Sequence, residues 1–314
     1  MNVLVIGGAG YIGSVVVATL LESGYRVRVF DSLLFGGSAL LGFWHHPRFS
    51  CIKGDIRCKN DVDSALWGTN AIVNLAALVG EKACNADPKA AREINRDGAV
   101  ELAAASKKRG ITRCIFISTC SNYGVNSDKT LATEAAPLFP LTLYAKTKVE
   151  AEKAILSEAS EKFFPCVLRF ATVFGLSPRM RFDLIVNEFV LQAFNKIPLS
   201  IYKPRAWRPL VHVTDAAQAV MKVLSANPRV VSGEVFNIGY GNYQKQRIAQ
   251  MVKEEFDTAV KLVPGGDGRD YRVSFAKARR LLHFRAKKSV KAGISEIGKA
   301  LLTGIFNEKI YSSN

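Results

Sequence analysis

Tyr144 and Lys148 stand four residues apart in "YAKTK", at the start of a stretch with helical character. That spacing puts both side chains on one face of a helix. A free tyrosine ionises near pH 10, about three units too high for a base at neutral pH. A neighbouring ammonium favours the phenolate and draws that value down, so the pair has the makings of a general base. The same spacing also arises on ordinary solvated helix faces, so its meaning depends on what surrounds it. Just upstream, the apolar run "RCIFIS" ends in Thr119, Cys120 and Ser121. A strand-end hydroxyl can hydrogen-bond the group a base deprotonates. A thiol, ordinarily near pKa ~8.5 and tunable downward, can itself donate or accept a proton.

At the start of the chain, "NVLVIGGAGYIG" sets Gly7, Gly10 and Gly13 in a G-x-x-G-x-x-G pattern between a strand and a helix. Such glycines let the backbone turn tightly and approach a pyrophosphate, while the helix N-terminus presents N–H groups and positive partial charge. Asp31 closes the next apolar run, roughly 20 residues on, where an acid binds the adenosine ribose hydroxyls and repels a 2′-phosphate. The dinucleotide so favoured is NAD rather than NADP. The plainer alternative is a structural glycine turn with a capping aspartate. Asp55 in "KGDIR" is placed either to bond an adenine amino group or to cap a helix. "NLAAL" ends a fourth strand in small residues, Ala76 and Ala77, over which a dinucleotide can pass.

These groups need a scaffold that brings strand ends together. Short apolar runs alternate with helical stretches: "NVLVIG", "RVRVFD", "FSCIKGD", "AIVNLAAL", "RCIFIST" and "FPCVLRF", with helices between, including a long one from Pro88 to Arg109 and one starting near Leu143. Runs buried on both faces and separated by helices predict an α/β fold, a Rossmann-type doubly wound parallel sheet. The stretch from Tyr123 to Thr142 reads as loop. Beyond Gly175 the alternation loosens, although "LVHV" and "VFNIG" look able to return to the sheet. The expected organisation is an NAD-binding Rossmann domain over 1–175, with a return segment about 210–240. A smaller, mostly C-terminal substrate-binding domain then occupies 176–314.

Composition is that of a soluble globular protein of one large or two interlocked domains. The 314 residues are 48% hydrophobic and 22% charged, enough to bury a core without disulfides or metal. The six cysteines at 51, 58, 84, 114, 120 and 166 form no Cys-x-x-Cys pair and no zinc spacing, so they read as reduced thiols with no metal site. The N-terminus lacks the basic and apolar regions of a signal peptide, and no run is long enough to span a membrane; a cytoplasmic protein is expected. The net charge of +16 suits an anionic small molecule, or nucleic acid. Because the basic residues are interspersed with acids rather than gathered in a block, nucleic acid is disfavoured.

Taken together, "GGAGYIG", Asp31, "GDIR", "NLAAL", "DPKAAREIN", "STCSNYG", "YAKTK", "LRFATVFG", "WRPLVHVTD" and "VFNIG" resemble the extended short-chain dehydrogenase/reductases of the nucleotide-sugar epimerase/dehydratase family. The resemblance spans nearly the whole chain. It implies NAD held by Gly7, Gly10, Tyr11, Ile12, Gly13, Asp31, Asp55, Ile56, Leu75, Ala76 and Ala77, with Tyr144 and Lys148 at the nicotinamide end. It implies that Thr119 bonds the sugar hydroxyl, that Tyr144 takes its proton and that Lys148 tunes Tyr144. Asn95 is structural or part of a proton relay. Arg208, with Asn187 and Arg269, would contact the diphosphate of a nucleotide-diphosphate sugar, Arg272 competing with Arg269; guanidinium forks suit phosphate oxygens. Asn187 and Arg269 could equally be surface residues. The family also implies a homodimer paired through helices 88–109 and 143–160. Where relatives often carry an asparagine before Val-x-Gly, this chain has Thr172, and "SPRMRFDLIVNEF" falls in the region that sets specificity.

The family's reaction begins by oxidising sugar C4 to a ketone. Dehydratases of this type carry Asp-Glu directly after the catalytic threonine, as acid and base for eliminating water. Cys120 and Ser121 occupy those positions here. The expected enzyme is therefore an epimerase acting through a transient 4-keto sugar, most simply at C4. A dehydratase or C3/C5 epimerase using Cys120 as acid/base is the alternative. A non-catalytic nucleotide- or RNA-binding protein on the same fold is more distant, since a binding module needs no Thr119–Tyr144–Lys148 trio.

Overall fold

The computed structural model describes residues 1–125, 130–266 and 268–306. Twelve strands lie among them: β1 (Asn2–Ile6), β2 (Arg26–Asp31), β3 (Phe49–Lys53), β4 (Ala71–Asn74), β5 (Arg113–Thr119), β6 (Phe164–Phe170), β7 (Thr172–Phe174), β8 (Leu199–Ile201), β9 (Trp207–His212), β10 (Glu234–Ile238), β11 (Gly241–Gln244) and β12 (Val260–Leu262). Seven of them form one sheet in the order β10-β6-β5-β4-β1-β2-β3, every neighbouring pair parallel.

Alternation along each strand divides the core in two. Val3 and Val5 of β1, Val27 and Val29 of β2, and Ile115 and Ile117 of β5 face one side, against helices Tyr11–Glu22 and Val213–Ser225. Leu4, Ile6, Phe30, Ile72 and Phe116 face the other, with apolar residues of helices Lys59–Leu66, Gly98–Lys108 and Leu143–Ser157. A period of two with both faces apolar is what a sheet covered on both sides requires. Strand order reverses between β1 and β4, which opens a crevice at their carboxyl ends.

Three expectations change. "LVHV" does not rejoin the main sheet: β9 pairs with β7 in parallel and with β11 antiparallel, in a separate three-stranded sheet. Only "VFNI", as β10, returns, beside β6. The long helix from Pro88 is broken by a π turn at Glu93–Asp97, which places Asn95 inward. The basic residues are also less evenly spread than their interleaving with acids suggested. Residues 277–291 hold seven Lys and Arg and no acid; only the ends of this run, Lys277 with Glu234 and Lys291 with Glu254, make ion pairs among the described residues. Within the loop predicted over Tyr123–Thr142, residues 126–129 lie outside the described residues.

Smaller elements complete the C-terminal side: helices Ile185–Phe194, Lys245–Glu255 and Val290–Leu302, and a parallel β8–β12 pair. Among the described residues no helix is long and apolar enough to cross a membrane.

Candidate active site

The glycine loop follows β1 and opens helix Tyr11–Glu22, whose N-cap is Gly10 with no side-chain cap. Its first N–H groups are thus left to an external acceptor. Three glycines do three different jobs. Gly7 sits at φ +77°, and a Cβ there would lie 2.9 Å from the Ala76 backbone nitrogen at the end of β4. A Cβ on Gly13 would come within 2.1 Å of the Gly7 carbonyl oxygen, so this glycine is demanded by the closing of the loop on itself. Gly10 is different. Its φ of −77° suits any residue, and a Cβ would meet only the Gly7 oxygen, at 3.3 Å. The fold makes little demand for glycine there, whereas a pyrophosphate laid on the loop does. The residues present therefore fit a dinucleotide.

Asp31, at the end of β2, accepts hydrogen bonds from the Ala9 N–H (2.9 Å) and the Leu33 N–H (2.8 Å). It braces the glycine loop while remaining part-exposed. Asp55 accepts from the Arg57 N–H and pairs with its guanidinium at 2.6 Å. That Arg57 bond outweighs the cost of its partial burial and holds the Asp55 carboxyl below the usual range. The side chain closes a local turn and does not cap the following helix, whose N-cap is Cys58. Ile56 is buried, and Leu75, Ala76 and Ala77 are half-buried along the exit from β4. There Asn74 accepts from the Ala76 N–H while its own buried amide nitrogen has no protein partner. Asn95, wholly buried in the π turn, clamps the next peptide: its oxygen accepts from the Leu78 N–H (2.8 Å) and its nitrogen donates to the Leu78 carbonyl (3.0 Å). Both its polar atoms hold main chain, the structural role of the two expected.

Tyr11 and Ile12 begin the helix. Ile12 is half-buried, but Tyr11 turns its side chain toward the C-terminal side, donating to the Gly175 carbonyl (2.7 Å). Asn187 supplies the other half of this clamp. It is fully buried, accepts from the Gly175 N–H (3.1 Å), and donates to the Tyr11 hydroxyl (3.2 Å) and the Arg181 carbonyl (2.9 Å). This corrects the expectation of a diphosphate contact at Asn187: both ends of its amide are committed inside the protein. Ser177 donates to the Tyr11 carbonyl at 2.7 Å, reinforcing the seam.

The strand-end hydroxyls lie at the end of β5. Of residues 118–124, Thr119 alone keeps partial exposure; the others are buried. Its Oγ1 accepts from the Ser121 N–H (3.1 Å) and shares a hydrogen bond with Ser121 Oγ (2.8 Å). Cys120 turns inward. Its side chain has no exposed surface and packs with Tyr123, Ala132, Tyr271, Val273 and Phe275. The thiol donates to the Arg169 carbonyl (3.2 Å), and burial pushes its pKa far upward. The role of Cys120 as acid or base is corrected accordingly: the partner of Thr119 at the rim is Ser121.

Helix Leu143–Ser157 is capped by Thr142, which accepts from the Ala145 N–H. Tyr144, the second residue of the helix, is half-buried, and Lys148, one turn further, is 1% exposed. Lys148 Nζ donates to the Ile117 carbonyl (2.8 Å), two residues before Thr119, and lies 4.3 Å from the Phe116 ring centre. The trio is thus carried on two directly bonded elements. Burial drives both titratable groups toward neutrality, raising Tyr144 to about 12 and lowering Lys148 to about 7. The charges that offset the rise at Tyr144 are Arg181 and Arg269, not Lys148 as the spacing suggested. Arg181 belongs to the "SPRMRFDLIVNEF" segment and is ion-paired to Asp183.

Arg208 is buried, its Nη1 donating to the carbonyls of Trp207 (2.8 Å) and Arg269 (2.6 Å). It therefore brings Arg269 to its strand across a separation of 61 residues. Arg272 lies over the Trp207 ring at 5.2 Å.

Comparison with known proteins bears on the family and the fold. Residues 3–239 match the model of the NAD dependent epimerase/dehydratase family. The low-salt glycan biosynthesis protein Agl12 of Haloferax volcanii is 31% identical over 89% of this chain and 87% of its own. Among solved structures, DesIV of Streptomyces venezuelae, a dTDP-glucose 4,6-dehydratase with NAD bound, superposes with a TM-score of 0.88 at 26% identity, covering 96% of this chain and 97% of that one. The UDP-glucose 4-epimerase of Thermotoga maritima, with UDP-glucose, gives 0.87 at 26% identity over 98% of this chain and 100% of that one.

Proposed function

The chain belongs to the NAD-dependent epimerase/dehydratase family, and on that premise we propose that it is a nucleotide-sugar 4-epimerase working through a transient 4-keto sugar. Nucleotide-sugar epimerase/dehydratase chemistry and NAD as cofactor are common ground with its relatives. The choice of outcome rests on one observation. The two residues after Thr119, where a dehydratase needs an acid and a base, are a thiol sealed in the core and a serine bonded to Thr119. Neither is equipped to eliminate water, and the sealed thiol also weakens the case for C3 or C5 exchange through Cys120.

NAD, when bound, would supply the hydride acceptor and donor for the sugar. It would be held by the uncapped helix start at Gly10, the loop glycines, Asp31 and the strand exit at Leu75–Ala77. Thr119 orients the C4 hydroxyl and Tyr144 takes its proton. Arg181 and Arg269 supply the positive charge that favours the phenolate, and Lys148, anchored on the Ile117 carbonyl, is placed to bond the nicotinamide ribose. Arg208 and Arg269 form the diphosphate end. We place the boundary between the two halves near residue 175, with the chain returning through helix Val213–Ser225 and β10. A homodimer through helices 88–109 and 143–157, and a cytoplasmic location, complete the proposal; light scattering and cell fractionation test them.

The decisive assay incubates the purified protein with UDP-, GDP-, CDP- and dTDP-sugars in deuterated water and follows products by NMR. A C4 epimer without deuterium in the sugar is expected. Deuterium at C3 or C5, or a stable 4-keto-6-deoxy product, overturns the choice.

A further inference from the structure

We infer that Glu152 is a positioning residue that sets the Thr119–Tyr144–Lys148 geometry from behind the helix, an inference that rests on the functional reading above. Glu152 lies one turn beyond Lys148 and two beyond Tyr144, so the three share a helix face. It is 2% exposed. Its carboxylate gathers four donor groups from three other parts of the chain. Ser118 Oγ, on the residue before Thr119, makes a short hydrogen bond to Oε1. Asn122 Nδ2 reaches the same oxygen at 2.8 Å. From β6, Arg169 Nη2 donates to Oε2 at 2.6 Å and its Nε lies 3.1–3.2 Å from both oxygens.

Helix Leu143–Ser157 is therefore fastened to β5 at consecutive rungs, Lys148 to the Ile117 carbonyl and Glu152 to Ser118. Thr119 is the next residue of the strand. Arg169 carries the bracing outward, donating to the Tyr123 hydroxyl (3.0 Å), which itself donates to Asn237 on β10 (2.8 Å). A buried ion pair of this kind contributes little net stability, because desolvating both charges offsets their attraction. Its distinctive property is a single fixed geometry, and that geometry lies directly behind the reacting groups. Shifts of about 1 Å at such positions cost about 100-fold in rate.

Glu152 also supplies a fixed negative charge beside the Lys148 ammonium, countering the effect of burial. The other groups around Lys148 are Tyr144 one turn back, Cys84 from helix Glu81–Ala86, and the Ile117 carbonyl and Phe116 ring of β5. Arg169 of β6 is engaged by Glu152, and Arg96 of the π turn by Asp97 and Glu150.

Three variants test the inference. Glu152→Gln keeps the shape and removes the charge; Glu152→Asp keeps the charge and withdraws it by one methylene; Ser118→Ala removes one strand contact. In Glu152→Gln, nitrogen-15 NMR should show Lys148 losing its proton at lower pH than in the native protein. Its kcat should fall about 10–100-fold with KM little changed. In Glu152→Asp the Lys148 titration should stay near its native position while kcat still falls. Ser118→Ala should lower kcat less, again with KM held. Folded Glu152 variants with native kcat and an unmoved Lys148 titration overturn the inference. Should Glu152→Gln not fold, native kcat in Ser118→Ala overturns it on its own. A native protein inactive on every nucleotide sugar means that the functional reading has failed, and the NMR titration then decides the Glu152 inference separately.

Discussion

The glycine loop and the strand-end rim lie at the same carboxyl edge of the sheet, after β1 and β5, but are built on different terms. In the loop, the recognition elements are backbone. Gly7 and Gly13 are glycines because main chain passes within a bond length or two of where a Cβ would be, and the helix start offers N–H groups that no side chain caps. At the rim, recognition depends on side chains, and most of the polar ones turn inward. Cys120 bonds a carbonyl, Asn187 clamps two segments, Arg208 holds main chain and Glu152 holds three elements at once. What faces outward, Thr119 and Tyr144, is a small remainder kept in place by a much larger buried set. A loop made of backbone can be recognised from residue spacing alone. A rim made of side chains depends on which way each one turns.

The sharpest way to separate the two regions is Tyr144→Phe. Turnover should fall about 10²–10⁴-fold, the usual contribution of a positioned base, while NAD content of the purified protein stays native. Loss of NAD together with turnover would merge the two regions into one. Within the loop, Gly13→Ala should destabilise the protein by about 1–3 kcal/mol through overpacking and release NAD. Gly10→Ala should leave the melting temperature near native yet weaken NAD by about tenfold, about 1.4 kcal/mol. Calorimetry on both checks this, and a Gly10 variant that melts early would show that the fold, not the ligand, requires that glycine.

On the rim side, Asn187→Ala should cost about 1–3 kcal/mol of stability by stranding buried partners, with KM for the nucleotide sugar raised only as the seam loosens. A large KM effect in a stably folded variant would restore Asn187 to the substrate. Lys148 gives a pH test. Its native pKa is lowered by burial to about 7 from 10.5, so between these values the unfolded chain binds more protons and stability rises with pH. The penalty is full below pH 7 and absent above 10.5. Lys148→Met should therefore gain most over the native protein at low pH, with the difference shrinking toward pH 10. A pH-independent difference in denaturation would place the ammonium in a more polar setting. The smallest effect belongs to Cys120→Ala: unchanged turnover and pH profile, with a stability loss of about 1 kcal/mol. Lost turnover there would bring the thiol back into the chemistry.

The alternating apolar runs were enough to read the parallel sheet, and the spacing of Gly7, Gly10, Gly13 and Asp31 was enough to read the dinucleotide loop. Both signals are local, set within a turn or a strand by pleat, helix period and van der Waals contact. The placement of β9 escaped, because an apolar run carries no mark of which sheet will take it. The π turn escaped because its extra residue serves Asn95 and the Leu78 peptide, which only the fold brings together.

By itself, then, the sequence determined the fold class and the cofactor and put Thr119, Tyr144 and Lys148 forward as candidates, since these follow from residue type and short-range spacing. Only the tertiary structure decided that Cys120 is core, that Asn187 is a clamp, and that Glu152 stands behind the trio. Each of those outcomes depends on burial or on partners tens to more than a hundred residues away, and the energy of a polar side chain is set by the partners it finds out of water. No spacing along the chain encodes that pairing.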